Sequence, residues 1–197
     1  MTNTAFTIPN LITAARFAAV PFIVYAIGAN HWMTAFLVFV VSGVSDAVDG
    51  IIARHFGQRS RLGAYLDPIA DKALIIAIFA ALTVQGHLPV WLLLLTILRD
   101  VAIVAGAGIL AMRRNLGTVR PLWISKANTA LMIVLAAWIL GANAFEIATD
   151  PVTGYLVWLV AILVGLSGAG YAMVLARELR RPAGELARDA KPADGIR

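Results

Sequence analysis

Six apolar stretches, each near the length of a lipid-spanning helix, leave this chain few folds to adopt. They run over residues 10–29, 32–54, 63–84, 88–112, 123–141 and 154–176. A helix needs about 20 predominantly apolar residues to cross hydrocarbon. Composition agrees: 60% of the 197 residues are hydrophobic and 14% are charged, against roughly 25% charged in soluble domains. A soluble globular domain and a disordered chain are both excluded. The fold class read from this pattern is all-α: a polytopic integral membrane protein with six transmembrane helices. The chain has no cysteine, so disulfides, thiolate metal sites and cysteine nucleophiles are excluded. No internal repeat or composition shift marks a second domain. Residues 1–177 read as one helical domain. Residues 178–197, with Pro182, Pro192 and Gly195, read as a charged, disordered tail.

The basic residues fall on one side. The connections 29–31, 85–88 and 142–153 contain no Lys or Arg and carry Glu146 and Asp150. The connections 55–62 and 113–122 and the tail carry Arg59, Arg61, Arg113, Arg114, Arg120, Arg177, Arg180, Arg181, Arg188, Lys191 and Arg197. By the positive-inside rule the second side is cytoplasmic, and an even helix count places both termini there. The N-terminus lacks the basic region and cleavage pattern of a signal peptide, so the first helix is expected to be retained. Pro9 suits the first helical turn, and Pro21 in the interior predicts a kink.

Charges inside the apolar stretches carry most of the functional information. Asp46 and Asp49 lie near the cytoplasmic end of the second stretch, and Asp67, Asp71 and Lys72 near the start of the third. Arg16 interrupts the first, and Arg99 and Asp100 the fourth. An Asp at mid-depth costs about 2.5–3.5 kcal/mol to insert. Asp46 and Asp49 are spaced i, i+3, and Asp67 and Asp71 i, i+4, so each pair shares a helix face. A short connection makes the second and third helices antiparallel neighbours, which lets four carboxylates converge. Four negative charges at low dielectric repel one another unless a cation joins them. An all-oxygen set selects a hard cation such as Mg²⁺, Mn²⁺ or Ca²⁺, and four carboxylates suffice for two ions. Gly50 and Ala53 leave room for close approach, and Arg54 offers a fork suited to phosphate. Together they describe a diphosphate site, where two metals would stabilise an attacking and a leaving oxygen. Taken singly, these residues have plainer roles. Asp46 alone reads as a helix-end residue, Gly50 and Ala53 as packing residues, and Arg99–Asp100 as a structural ion pair.

The order Asp46-Ala-Val-Asp49-Gly50-Ile-Ile-Ala53-Arg54, eight residues, then Gly63-Ala-Tyr-Leu-Asp67-Pro-Ile-Ala-Asp71 resembles the signature of the CDP-alcohol phosphotransferases. All eight specified positions match over 26 residues. The opening Ile8-Pro-Asn10-Leu-Ile-Thr13-Ala-Ala-Arg16 is similar to that family's first helix. The resemblance implies transfer of a substituted phosphate from a CDP-linked donor to an alcohol, with release of CMP and a need for Mg²⁺ or Mn²⁺. It implies that Asp46, Asp49, Asp67 and Asp71 hold two metal ions, with Asp71 also the base. It implies donor contacts at Asn10, Thr13, Gly50, Ala53, Arg54, Ser60 and Gly63, and a homodimer in a bacterial cell membrane with its site facing the cytoplasm.

The second half of the chain bears on the acceptor. Arg99-Asp100, then Arg120-Pro121-Leu-Trp-Ile-Ser125-Lys126-Ala-Asn128-Thr129, resembles the CMP-forming cardiolipin synthases of mitochondrial type. Phosphatidylglycerophosphate synthases more often carry R-E at the first place. Arg99, Arg120 and Lys126 would form an anion pocket, which suits phosphatidylglycerol or glycerol-3-phosphate alike. The sub-motif favours phosphatidylglycerol, and so cardiolipin, with CDP-diacylglycerol as donor. Arg120 and Lys126 also fit a plain topological role. A cation channel or transporter built on the Asp cluster and an intramembrane prenyltransferase are the readings from other classes. Neither calls for the Gly50, Ala53 and Arg54 positions, and nucleic acid is not an expected partner.

Overall fold

The computed structural model describes residues 8–56, 61–112, 123–148 and 150–180, with side-chain surroundings for 18–45, 72–110, 123–148 and 151–177. Six helices account for nearly all of them: α1 (Ile8–Gly28), α2 (Trp32–Phe56), α3 (Arg61–Val84), α4 (Val90–Met112), α5 (Trp123–Ala144) and α6 (Asp150–Arg180). No strand occurs among the described residues. α1 runs unbroken through Pro21, with Pro9 in its first turn, where a missing N–H leaves no bond unmade. α6 is longer than its apolar stretch, at 31 residues or about 46 Å. It takes in the last four residues of the expected 142–153 connection and passes the 177 boundary by one turn.

Three tight reversals hold one end together. The backbone at Asn30, Gly86 and Glu146 has positive φ (58°, 80° and 54°), a conformation that ends helices by turning the chain back. In each, the next residue donates to a carbonyl five positions earlier: His31 to Ala26 (2.8 Å), His87 to Leu82 (2.9 Å) and Ile147 to Ala142 (2.8 Å). The Gln85 amide donates to Ile27 O (2.9 Å) and Gly28 O (3.1 Å), so the ends of α1 and α3 coincide. The Trp32 and His87 rings meet edge-to-face at 4.8 Å, Phe36 and Phe145 at 5.7 Å, and Trp91 lies against Trp158 at 5.4 Å. These contacts gather the ends of α1, α3 and α5 with the starts of α2, α4 and α6. Successive helices therefore alternate in direction, and the opposite end collects the C-termini of α2, α4 and α6 with the N-termini of α1, α3 and α5.

The packing order differs from the simplest hairpin expectation. α2 and α3 are antiparallel, yet among the described residues they do not pack directly on each other; α1 and α5 each touch both. The core contains Ile23, Ile27, Ile78, Phe79, Leu82, Leu135, Ile139 and Val160. α5 contributes at helical spacing, through Asn128, Met132, Leu135, Ala136, Ile139 and Leu140. Gly141 lets α2 lie close, because a Cβ there would stand 3.1 Å from the Phe36 ring.

Outward faces are apolar. Leu94, Leu98, Val101 and Val104 on α4 and Trp158, Leu159, Ile162 and Leu166 on α6 are all exposed. Water does not tolerate so continuous an apolar surface on a monomer. Among the described residues, Val90–Leu110, Trp123–Ala144 and Pro151–Arg177 are long and apolar enough to cross a membrane. The apolar helical portions Ala18–Gly28, Trp32–Ser45 and Lys72–Val84 are shorter. The described residues are all-helical, with the apolar helices and outward faces of a membrane protein.

Candidate active site

The shared end of the bundle serves as a ruler for the acidic positions. A helix rises about 1.5 Å per residue. Asp46 is 14 residues beyond Trp32 on α2, and Asp71 is 13 residues before Val84 on α3, which puts both backbones about 20 Å from that end. Asp49 and Asp67 are each 17 residues away, about 26 Å. Two antiparallel helices thus bring the four positions to two matched levels, one pair per level. The side chains of Asn10, Thr13, Asp46, Asp49, Gly50, Ala53, Arg54, Gly63, Asp67 and Asp71 lie outside the described residues, although their backbone is helical. Ser60 and Arg120 lie outside the described residues altogether.

A cavity of about 160 Å³ opens among α2, α3, α4 and α5. Phe39, Ser42 and Gly43 line it from α2, Lys72, Leu74, Ile75 and Ile76 from α3, Arg99 and Asp100 from α4, and Thr129, Met132 and Ile133 from α5. Helical register connects this wall to the acidic positions. Asp46 follows Ser42 by four residues and Asp49 by seven, and Asp71 and Asp67 precede Leu74 by three and seven, so in sequence register the acidic positions lie beyond the described cavity wall along α2 and α3.

Charge in the described part of the site centres on Arg99. Its side chain is 6% exposed and that of Asp100 16%. Arg99 Nη1 donates to Asp100 Oδ1 at 2.7 Å, Nη2 to Ser125 Oγ at 2.6 Å and to Ser167 Oγ at 2.7 Å, and Nε to Ser167 Oγ at 3.3 Å. The guanidinium thereby ties α4 to α5 and α6, and its fork is nearly full. Lys72 Nζ reaches the same Asp100 oxygen at 3.2 Å and is half exposed. Burial of two opposite charges is tolerable because the pair neutralises itself and hydrogen bonds satisfy the remaining donors.

Lys126 takes a different direction. It is exposed near the start of α5, with its Nζ 5.2 Å from the centre of the Trp123 ring, a cation–π distance. It is not part of the cavity wall with Arg99. Asn128 is fully buried; its amide nitrogen lies 3.5 Å from Met132 Sδ, and its Oδ1 has no hydrogen-bond partner among the described residues. Ser167 and the Lys72–Asp100 pair escape a reading of the sequence. Ser167 is one hydroxyl in an apolar helix, and Lys72 is masked by the neighbouring Asp71. Only the i, i+1 charge pair Arg99-Asp100, too costly to bury alone, hints that α6 must supply a polar partner.

The described residues form an antiparallel helical bundle with apolar outward faces and a charged cavity among α2–α5. The family model for CDP-alcohol phosphatidyltransferases matches residues 6–166. The chain belongs to the CDP-alcohol phosphatidyltransferase family. It is 35% identical over 169 residues to a human CMP-forming cardiolipin synthase, covering 78% of this chain and 56% of that protein. It is 39% identical over 130 residues to a putative cardiolipin synthase of Mycobacterium bovis, covering 64% of this chain and 61% of the relative. It is 33% identical over 187 residues to a chloroplastic CDP-diacylglycerol–glycerol-3-phosphate 3-phosphatidyltransferase of Oryza sativa, covering 84% and 56%. The chain thus spans little more than half the length of these relatives.

Proposed function

We propose that this protein is a CMP-forming phosphatidyltransferase. It moves the phosphatidyl group of CDP-diacylglycerol to an alcohol, with phosphatidylglycerol the favoured acceptor and cardiolipin the product. What supports the reading is the family match over residues 6–166, together with the spacing of four acidic positions whose backbones fall at matched heights on α2 and α3. That arrangement fits a divalent cation pair: all four residues are oxygen donors, and isolated they would repel. Asp46, Asp49, Asp67 and Asp71 would hold the pair, which when bound neutralises the donor diphosphate and makes CMP a better leaving group.

The chain's own residues do the rest. Arg54 offers two parallel N–H bonds to a phosphate, and Gly50, Ala53 and Gly63 keep side-chain bulk away from the nucleotide. Asn10, Thr13 and Ser60 complete the donor side. Asp71 takes the proton of the acceptor hydroxyl as that oxygen attacks the phosphorus carrying the lipid, and CMP departs. Arg99, Arg120 and Lys126 supply positive potential on the acceptor side. Arg99 does so from within the bundle, where its fork is already bonded. In this reading the helices cross the membrane six times, the basic end and both termini are cytoplasmic, and the protein works as a homodimer in a bacterial cell membrane.

Glycerol-3-phosphate is the second reading for the acceptor, supported by the rice relative, whose name carries that acceptor. The test is CMP release from CDP-diacylglycerol by purified protein in detergent with Mg²⁺, with phosphatidylglycerol and glycerol-3-phosphate offered separately. CMP with phosphatidylglycerol alone supports cardiolipin synthesis. CMP with glycerol-3-phosphate alone replaces it with phosphatidylglycerophosphate synthesis. No CMP with any alcohol, from folded protein, refutes the enzyme reading and returns weight to an ion pathway.

A further inference from the structure

We propose that Lys72, held by Asp100, binds the phosphodiester of the anionic acceptor lipid, whose acyl chain enters the cavity among α2–α5. The identity of the lipid as acceptor rests on the phosphatidyltransferase reading; the lipid site itself does not. The cavity wall is apolar along Phe39, Leu74, Ile75, Met132 and Ile133, and its polar groups include Lys72, Arg99, Asp100 and Thr129. A wall of that kind suits one amphiphile, with tail against carbon and charge against charge.

Arg99 and Lys72 both bond Asp100 Oδ1, so two cations share one anion within this cluster. Arg99 is buried, with its N–H groups directed to Asp100, Ser125 and Ser167. Lys126 lies over Trp123 instead. Lys72 is different: its side chain is 48% exposed, and only Asp100 is bonded to its ammonium among the described residues. An ammonium has three donors, and the half-exposed Lys72 side chain gives a phosphodiester access to it.

Position along α3 separates acceptor from donor. Lys72 is 12 residues before Val84 and Gly63 is 21 before it, while Gly50 and Arg54 are 18 and 22 residues beyond Trp32. By helical rise, Lys72 is about 9–15 Å nearer the apolar middle than these donor positions. It directly follows Asp71, the residue proposed to take the acceptor's proton. In phosphatidylglycerol the reacting hydroxyl, the phosphodiester and the acyl chains come in that order. Along α3 the corresponding order is Asp71, Lys72 and then the apolar wall at Ile75 and Ile76. Asp100 acts on Lys72 as a positioning residue.

The experiment compares Lys72→Gln and Lys72→Arg in the full chain, in detergent. Gln should raise the KM for phosphatidylglycerol about tenfold, the scale of one lost charge-assisted hydrogen bond. The KM for CDP-diacylglycerol should stay within about twofold, and Arg should restore most of the acceptor KM. An equal rise in both KM values assigns Lys72 to the donor and overturns the proposal, as does no rise in either. Native mass spectrometry reads the site without turnover. The wild-type protein should retain phosphatidylglycerol in preference to phosphatidylcholine, and Lys72→Gln should lose that preference. A wild-type protein without the preference overturns the proposal even if the Gln variant fails to fold. Lys72-dependent retention without any CMP release would refute the transferase reading and leave the lipid site standing. CMP release with Lys72-independent KM and retention would do the reverse.

Discussion

Replacing Asp100 by Ala should strip Arg99 of its counter-charge inside the bundle. Arg99 is 6% exposed and Asp100 16%, so the pair is largely out of water. Removing one member of such a pair costs about 3–5 kcal/mol, because the survivor is left charged and buried. The Lys72 contact adds about 0–1 kcal/mol, since that side chain is half solvated. Ser125 and Ser167 still accept from Arg99 and hold the total near the low end, about 3 kcal/mol. For a chain of this length that is a fall of about 6–12 °C in thermal midpoint. The midpoint is readable by size-exclusion fluorescence in a single detergent. Arg99→Met combined with Asp100→Ala should cost less than the two single changes added together, because no unpaired charge remains. An Asp100→Ala midpoint within about 2 °C of wild type, or strict additivity in the double variant, would refute the view that Asp100 neutralises a buried cation.

Asp71→Asn should abolish CMP release while CDP-diacylglycerol binding persists; turnover at the wild-type rate would remove Asp71 as the base. Arg120→Ala and Lys126→Ala should each raise the acceptor KM more than the donor KM in steady-state assays, and equal effects would dissolve the acceptor-side assignment. His87, in the connection before α4, has its pKa lowered below the usual 6.5 by burial. The unfolded chain therefore takes up that proton first as pH falls. Stability should decline below pH 6.5 until the folded-state value is passed, and then level off. His87→Phe keeps a ring against Trp32 and should flatten that part of the midpoint–pH curve. Identical curves for the two proteins would show that His87 does not set it.

The number of helices and their membrane setting were legible in the sequence because a bilayer makes one demand, about 20 apolar residues for each crossing. The helices α1–α6 coincide with the apolar stretches to within a few residues at most ends. Helical periodicity alone puts Asp46 near Asp49 and Asp67 near Asp71 on their own faces, and their side chains lie outside the described residues. Which helices touch was not legible. A short connection between α2 and α3 reads as a packed hairpin, yet among the described residues α1 and α5 each pack on both, and α3 packs also on α4. Apolar surfaces carry little information about their partners, since lipid and protein are equally acceptable to them. The sequence by itself determined a chain of apolar helices and the spacing of a family signature. Only the tertiary structure decided that Ser167 reaches Arg99 from 68 residues away, and that Asp100 is shared between Arg99 and Lys72. A buried charge must find its partners in space, and distance along the chain does not constrain which ones it finds.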